Sequence, residues 1–109
     1  MMIRPLMFAP LAFALLTGWP LPVLAGPTIV NDVTQINPVL VDEVAVPKTV
    51  DEVRELVRTH RGPLSIGGGH FSMGGQTASE QTLHLDMRGL NRIVAFSPET
   101  KTITVEAGI

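Results

Sequence analysis

SIGGGHFSMGGQ, residues Ser65 to Gln76, places five glycines within nine positions directly after the short apolar run Pro63-Leu64-Ser65-Ile66. Glycine serves where backbone turns at positive φ or must approach another group with no Cβ in the way. A strand that runs into Gly67, Gly68 and Gly69, with Gly74 and Gly75 closing the segment, brings successive N–H groups to one place. Consecutive amides in such a turn form a concave nest that suits an anion, typically a phosphate. The alternative is a flexible surface loop, which glycine content alone permits equally well.

Two familiar phosphate motifs are excluded. A Walker A loop needs a lysine after its last glycine, and no lysine lies between Lys48 and Lys101. A dinucleotide fingerprint needs G-x-G-x-x-G opening a helix. Here Ser72 stands at the third glycine position, and Gly75 leads through Gln76-Thr77-Ala78-Ser79 into a strand pattern. Any phosphate would be held by loop backbone, without a helix N-terminus behind it.

Upstream of the loop, Val39 to Val46 is β-branched and reads as one short strand stopped by Pro47. The period then changes: Val50, Val53, Leu56 and Val57 share a helix face. Thr49 with Glu52 three residues on is a capping box. Arg58, His60 and Arg61 complement the macrodipole at the other end, and Gly62-Pro63 stops a helix of roughly Val50 to His60. Downstream, Thr82 to Met87 alternates strictly, with Leu83, Leu85 and Met87 on one face and Thr82, His84 and Asp86 on the other. His84 and Asp86 read as ordinary residues of a half-exposed polar face, Asp86 capping the turn that follows. Arg88 to Asn91 is a turn or short loop. Ile93 to Phe96 and Thr102 to Val105 are strands joined by Ser97 to Lys101, Ile103 and Val105 being expected to face inward. The order of elements predicts an α+β fold with an opening βαβ unit followed by strands.

Residues 1–25 read as a secretory signal peptide: Arg4, an apolar stretch from Leu6 to Leu16, and Val23-Leu24-Ala25 as the cleavage site. An export route to the periplasm or medium follows; the alternative is a membrane anchor over residues 6–24, interrupted by Pro10, Gly18, Pro20 and Pro22. Residues 26–38 are polar and read as a lead-in with little core, leaving 39–109 as the folded part. The net charge of −2 with scattered basic residues leaves no footprint for nucleic acid. Without cysteine there are no disulfides or thiolate metal sites, and three histidines without H-x₃-H spacing predict no metal.

From Val46 to Ile109 the chain resembles the start of a PCMH-type FAD-binding domain of the vanillyl-alcohol oxidase-like flavoprotein family. Four segments carry the resemblance, in order: Val44 to Val53, Gly67 to Ser72, Leu85 to Asn91, and Thr102 to Gly108. The resemblance implies a two-subdomain fold of which this is an N-terminal part, because the sequence ends on a strand-like alternation with no closing turn. It implies FAD as cofactor, bound through Gly67, Gly68, Gly69, His70, Phe71, Ser72, Met73 and Gly74, with Ser72 donating a hydroxyl hydrogen bond to phosphate. Ala107-Gly108-Ile109 would approach the flavin. The loop histidine in many relatives carries the flavin covalently; aligned on the glycines that is His70, aligned on Ser72 to Gly75 it is Phe71. The implied activity is oxidation of a CH–OH group in a small alcohol, aldose or sugar lactone (the SMGGQ ending resembles the sugar-lactone and alditol oxidase branch), with electrons passed to oxygen or another acceptor. The catalytic base in such proteins comes from a C-terminal substrate domain, so no catalytic residue is assigned. A non-catalytic flavin-binding module and a non-functional truncated product are the alternatives.

Overall fold

The computed structural model describes residues 24–109. The signal-peptide and anchor readings lie outside these residues, apart from Leu24 and Ala25. No helix among the described residues is long and apolar enough to cross a membrane.

Among the described residues, three small sheets and one α-helix make an α+β unit. Strands β1 (Leu24–Ala25), β4 (Glu43–Ala45), β6 (Leu83–Asp86) and β5 (Leu64–Gly67) form the main sheet in that order, with β4, β6 and β5 parallel and β1 antiparallel at the edge. Strands β4 and β5 are joined by helix α1 (Val50–Thr59), and β6 inserts between them. The expected βαβ opening is therefore present, its two strands separated by one other. Strands β2 (Thr28–Val30) and β3 (Val39–Val41) form a separate antiparallel ribbon, and β7 (Ile93–Ser97) with β8 (Thr102–Val105) forms another.

Helix α1 starts where the capping residues require. Thr49 is extended and its hydroxyl accepts from the Glu52 amide at 3.1 Å. The Glu52 carboxylate reaches back one residue further than the simplest capping box, to the Lys48 amide at 2.7 Å. His60 closes the helix by donating its amide to Leu56. Leu56 is the residue the helix buries; it packs with Ala45, Leu83 and Leu85, and Met87 lies against this cluster. Each fully buried leucine contributes about 1.5–3 kcal/mol. Thr49→Ala is expected to lower stability by about 1 kcal/mol, measurable as a shift of the denaturant midpoint at unchanged slope.

Three expectations need correction. Residues 39–46 are two strands, because Asp42 and Glu43 turn their amides onto the Thr82 carbonyl and the chain passes from one sheet to the next. Ile103 and Val105 are exposed on the β7–β8 ribbon, which no described element covers. Strand β6 is buried on both faces, so His84 and Asp86 do not lie on a half-exposed one. A central parallel strand is covered from both sides, and alternation cannot report that. Residues 26–38 also do more than lead in: they supply β2, and Val30 and Asp32 are buried.

Candidate functional site

The glycine segment leaves the C-terminal end of β5 and runs as loop and turns to residue 81. Open parallel sheets bind ligands outside the carboxyl ends of their strands, and this loop sits at such an end. Gly67 closes β5 opposite Asp86. Gly68 faces the turn after β8, since a Cβ there would lie 3.6 Å from the Ala107 carbonyl oxygen. The second and fourth of the segments singled out in the sequence thus converge.

Both flanks of the loop are fastened to the turn between β2 and β3. At one end the His70 carbonyl accepts from the Val33 amide at 2.9 Å, and His70 Nδ1 lies 3.1 Å from the Asn31 carbonyl. His70 itself takes φ +59°, in the left-handed region. At the other end the Asp32 carboxylate accepts from the Gly74 and Gly75 amides at 2.8 and 3.0 Å, where both glycines have positive φ. Asp32 also takes the Thr34 amide and hydroxyl and the Asn37 side-chain amide. The Thr34 hydroxyl first, then the Gly74 amide, hold the Asp32 carboxyl far below the usual carboxylate range, against the effect of burial.

The amides of Gly69 and His70, at the first anchor, and of Phe71, Ser72 and Met73, between the two, have no hydrogen-bond partner among the described residues. Phe71, Ser72 and Met73 are exposed, whereas Gly67 faces inward and Gly74 is engaged by Asp32. A run of five open amides with little side-chain cover offers the kind of donor that an anion nest uses.

Behind the loop lies an open cleft of about 310 Å³, lined among others by Asn31, His70, His84, Asp86 and Arg88. His84 is fully buried, and its ring meets that of His70 edge-on, with centroids 5.4 Å apart. A chain of hydrogen bonds sets its tautomer. Thr82 donates its hydroxyl proton to the Ser79 carbonyl at 2.7 Å, so it accepts from Ser65 Oγ at 2.8 Å. Ser65 then accepts from His84 Nδ1–H at 2.9 Å. His70 Nδ1 likewise donates, because the Asn31 carbonyl can only accept. Both Nε2 atoms are buried without a partner. Burial foremost lowers the His84 pKa and favours the neutral ring, whose Nε2 then carries a lone pair. For Asp86, burial works upward, but the Arg88 guanidinium and amide outweigh it and hold the carboxyl below its ordinary value. Asp86 caps the 3₁₀ turn Met87–Gly89, as its position in the sequence suggested.

Within the fourth segment, the Glu106 carboxylate accepts from the Arg92 amide, just beyond the third, at 2.8 Å and its guanidinium at 2.6 and 2.9 Å. The Gly108 amide donates to the Leu90 carbonyl at 2.8 Å. Asp32 and His84 are the residues that sequence reasoning undervalued. Asp32 followed two positions later by Thr34 is an Asx-turn signal; its link to Gly74, 42 residues on, has no local signature.

Residues 41–109 match the model of a family described as an FAD binding domain. No curated protein matches the chain.

Proposed function

Because the chain belongs to the FAD binding domain family, whose members are generally FAD-dependent oxidoreductases, and takes FAD as its cofactor, we propose that it is the pyrophosphate-holding part of an exported oxidoreductase. Its substrate class would be the CH–OH group of an alcohol, aldose or sugar lactone, with electrons passed to oxygen or another acceptor. The observation that carries this reading is the set of unpartnered amides from Gly69 to Met73 on a loop fastened at His70 and at Gly74–Gly75.

The residues fit the cofactor. Five open N–H groups supply donors to the pyrophosphate oxygens, and the exposed Ser72 hydroxyl adds one more. Phe71 and Met73, both exposed, supply apolar surface beside them. The anchors hold this loop before the cofactor arrives, which lowers the ordering cost of binding. When bound, the flavin supplies hydride acceptance, while the protein supplies position and electrostatics.

Covalent attachment through His70 is the finer part of the proposal. It is supported by His70 Nε2, which has no hydrogen-bond partner while Nδ1 is engaged by the Asn31 carbonyl. The ring must turn out of the cleft to use it.

The test is the visible spectrum and intact mass of the purified full chain supplied with FAD. Flavin absorbance that co-purifies supports the reading; a protein that stays colourless after reconstitution overturns it. With attachment, the flavin stays in the acid pellet and His70→Ala releases it to the supernatant. An unmodified mass in a yellow protein would remove the covalent part alone.

A further inference from the structure

We propose that Asp32 is a positioning residue for the cofactor: an internal anion whose carboxylate holds the Gly74–Gly75 end of the glycine loop and so aims the open amides of Gly69 to Met73. The inference rests on the reading of those amides as the pyrophosphate site.

Asp32 is 1% exposed and forms no ion pair among the described residues. A buried carboxylate without a cation is costly unless neutral donors surround it. Here they do, and its two oxygens divide the work. Oδ1 takes the Thr34 amide at 2.9 Å and hydroxyl at 2.5 Å, which fixes the turn. Oδ2 takes the Asn37 amide at 2.8 Å and the two glycine amides, which reach it from 42 and 43 residues away. The paired glycines are thus a nest already filled by the chain's own anion. A ligand phosphate is left the stretch before them.

Position follows from the same contacts. His70 and the Gly74–Gly75 pair are both bound to the short turn around Asp32, so the loop between them is spanned from fixed ends. Release of the second end frees Met73 and Ser72 to turn their amides elsewhere. Preorganised donors lose their advantage when they must be ordered by the ligand.

Asp32→Asn tests this role, with amide exchange in the wild type separating it from the general stability of the turn. The variant keeps an oxygen for Thr34 but presents an NH₂ group to the Gly74, Gly75 and Asn37 donors. Measured by flavin fluorescence on the full chain, FAD affinity should fall by about tenfold or more, the loss of one or two hydrogen bonds. The FAD-free variant should also melt lower, because buried donors then face the NH₂ group, so affinity is compared at temperatures well below both midpoints. In the wild type without FAD, amide exchange should be slow at Gly74 and Gly75 and fast from Gly69 to Met73, the latter becoming protected when FAD is added. That measurement needs no variant to fold. Wild-type and Asp32→Asn affinities within twofold, or unprotected Gly74 and Gly75 amides, would overturn the positioning role while leaving the flavin reading intact. A wild type that binds no FAD overturns the flavin reading, and this proposal with it.

Discussion

Gly89→Ala is expected to lower stability by about 3 kcal/mol, near the upper end for an overpacked site, and the melting temperature by about 10 °C or more. Gly89 ends the 3₁₀ turn after β6, and the Cβ of an alanine there would overlap the Pro47 carbonyl oxygen, with the carbonyl carbon at 3.1 Å and Val46 Cγ1 at 3.3 Å. The obstacle is backbone, and it is poorly placed to retreat. Pro47 is fully buried and lies two residues before the Thr49 cap of α1. Gly108 approaches the same turn from the other side: its Cβ would overlap the Met87 carbonyl and come within 2.7 Å of the Arg88 Cα. The turn Met87–Gly89 is thus clasped between the entry to α1 and the segment after β8. Gly68→Ala is the control, because its Cβ meets only the Ala107 carbonyl at an ordinary 3.6 Å. Thermal melts of the three proteins decide the matter. A Gly89→Ala protein as stable as the parent would mean that these segments do not pack this closely.

What could be read in the sequence was what is decided within a few residues. Thr49, Glu52 and the spacing of Leu56 mark α1 because capping and helical period are local. Asp86 announces its turn for the same reason, the acceptor and the Arg88 amide lying two positions apart. The glycine segment marks itself at Gly74 and Gly75, whose positive φ few other residues tolerate. The remainder depends on partners distant in the chain. Alternation in β6 separates Leu83 and Leu85 from His84 and Asp86, but it does not tell which face is covered, and here both are. The two strands around Asp42 looked like one because the carbonyl that bends them belongs to Thr82. Asp32 looked like one polar residue among several, because its meaning lies in Gly74 and Gly75.

The role of the first glycine of the loop is of that distant kind too, and Gly67→Ala should separate the fold from the site. An added Cβ would lie 2.7 Å from His70 Nε2, 3.0 Å from His70 Cδ2 and 3.1 Å from His84 Cε1. One ring must yield. His84 is fully buried and held through Nδ1 by Ser65, itself held by Thr82. His70 is only half-buried, carries a positive φ and is held by a single side-chain bond to the Asn31 carbonyl. The His70 ring is therefore the one expelled. Its departure breaks the Nδ1 anchor, loosens the Val33–His70 bond beside it and misplaces the first of the open amides. We expect the destabilisation to stay within about 1–2 kcal/mol, because a side chain rather than backbone gives way, while FAD affinity falls by about tenfold or more, the equivalent of at least 1.4 kcal/mol. Ring proton resonances of His84 should lose the shift imposed by its edge-on neighbour, which reports the expulsion directly. His84 resonances that stay unchanged in a variant with weakened FAD binding would place the effect of Gly67 in the backbone, and the histidine pair would then have no part in holding the loop.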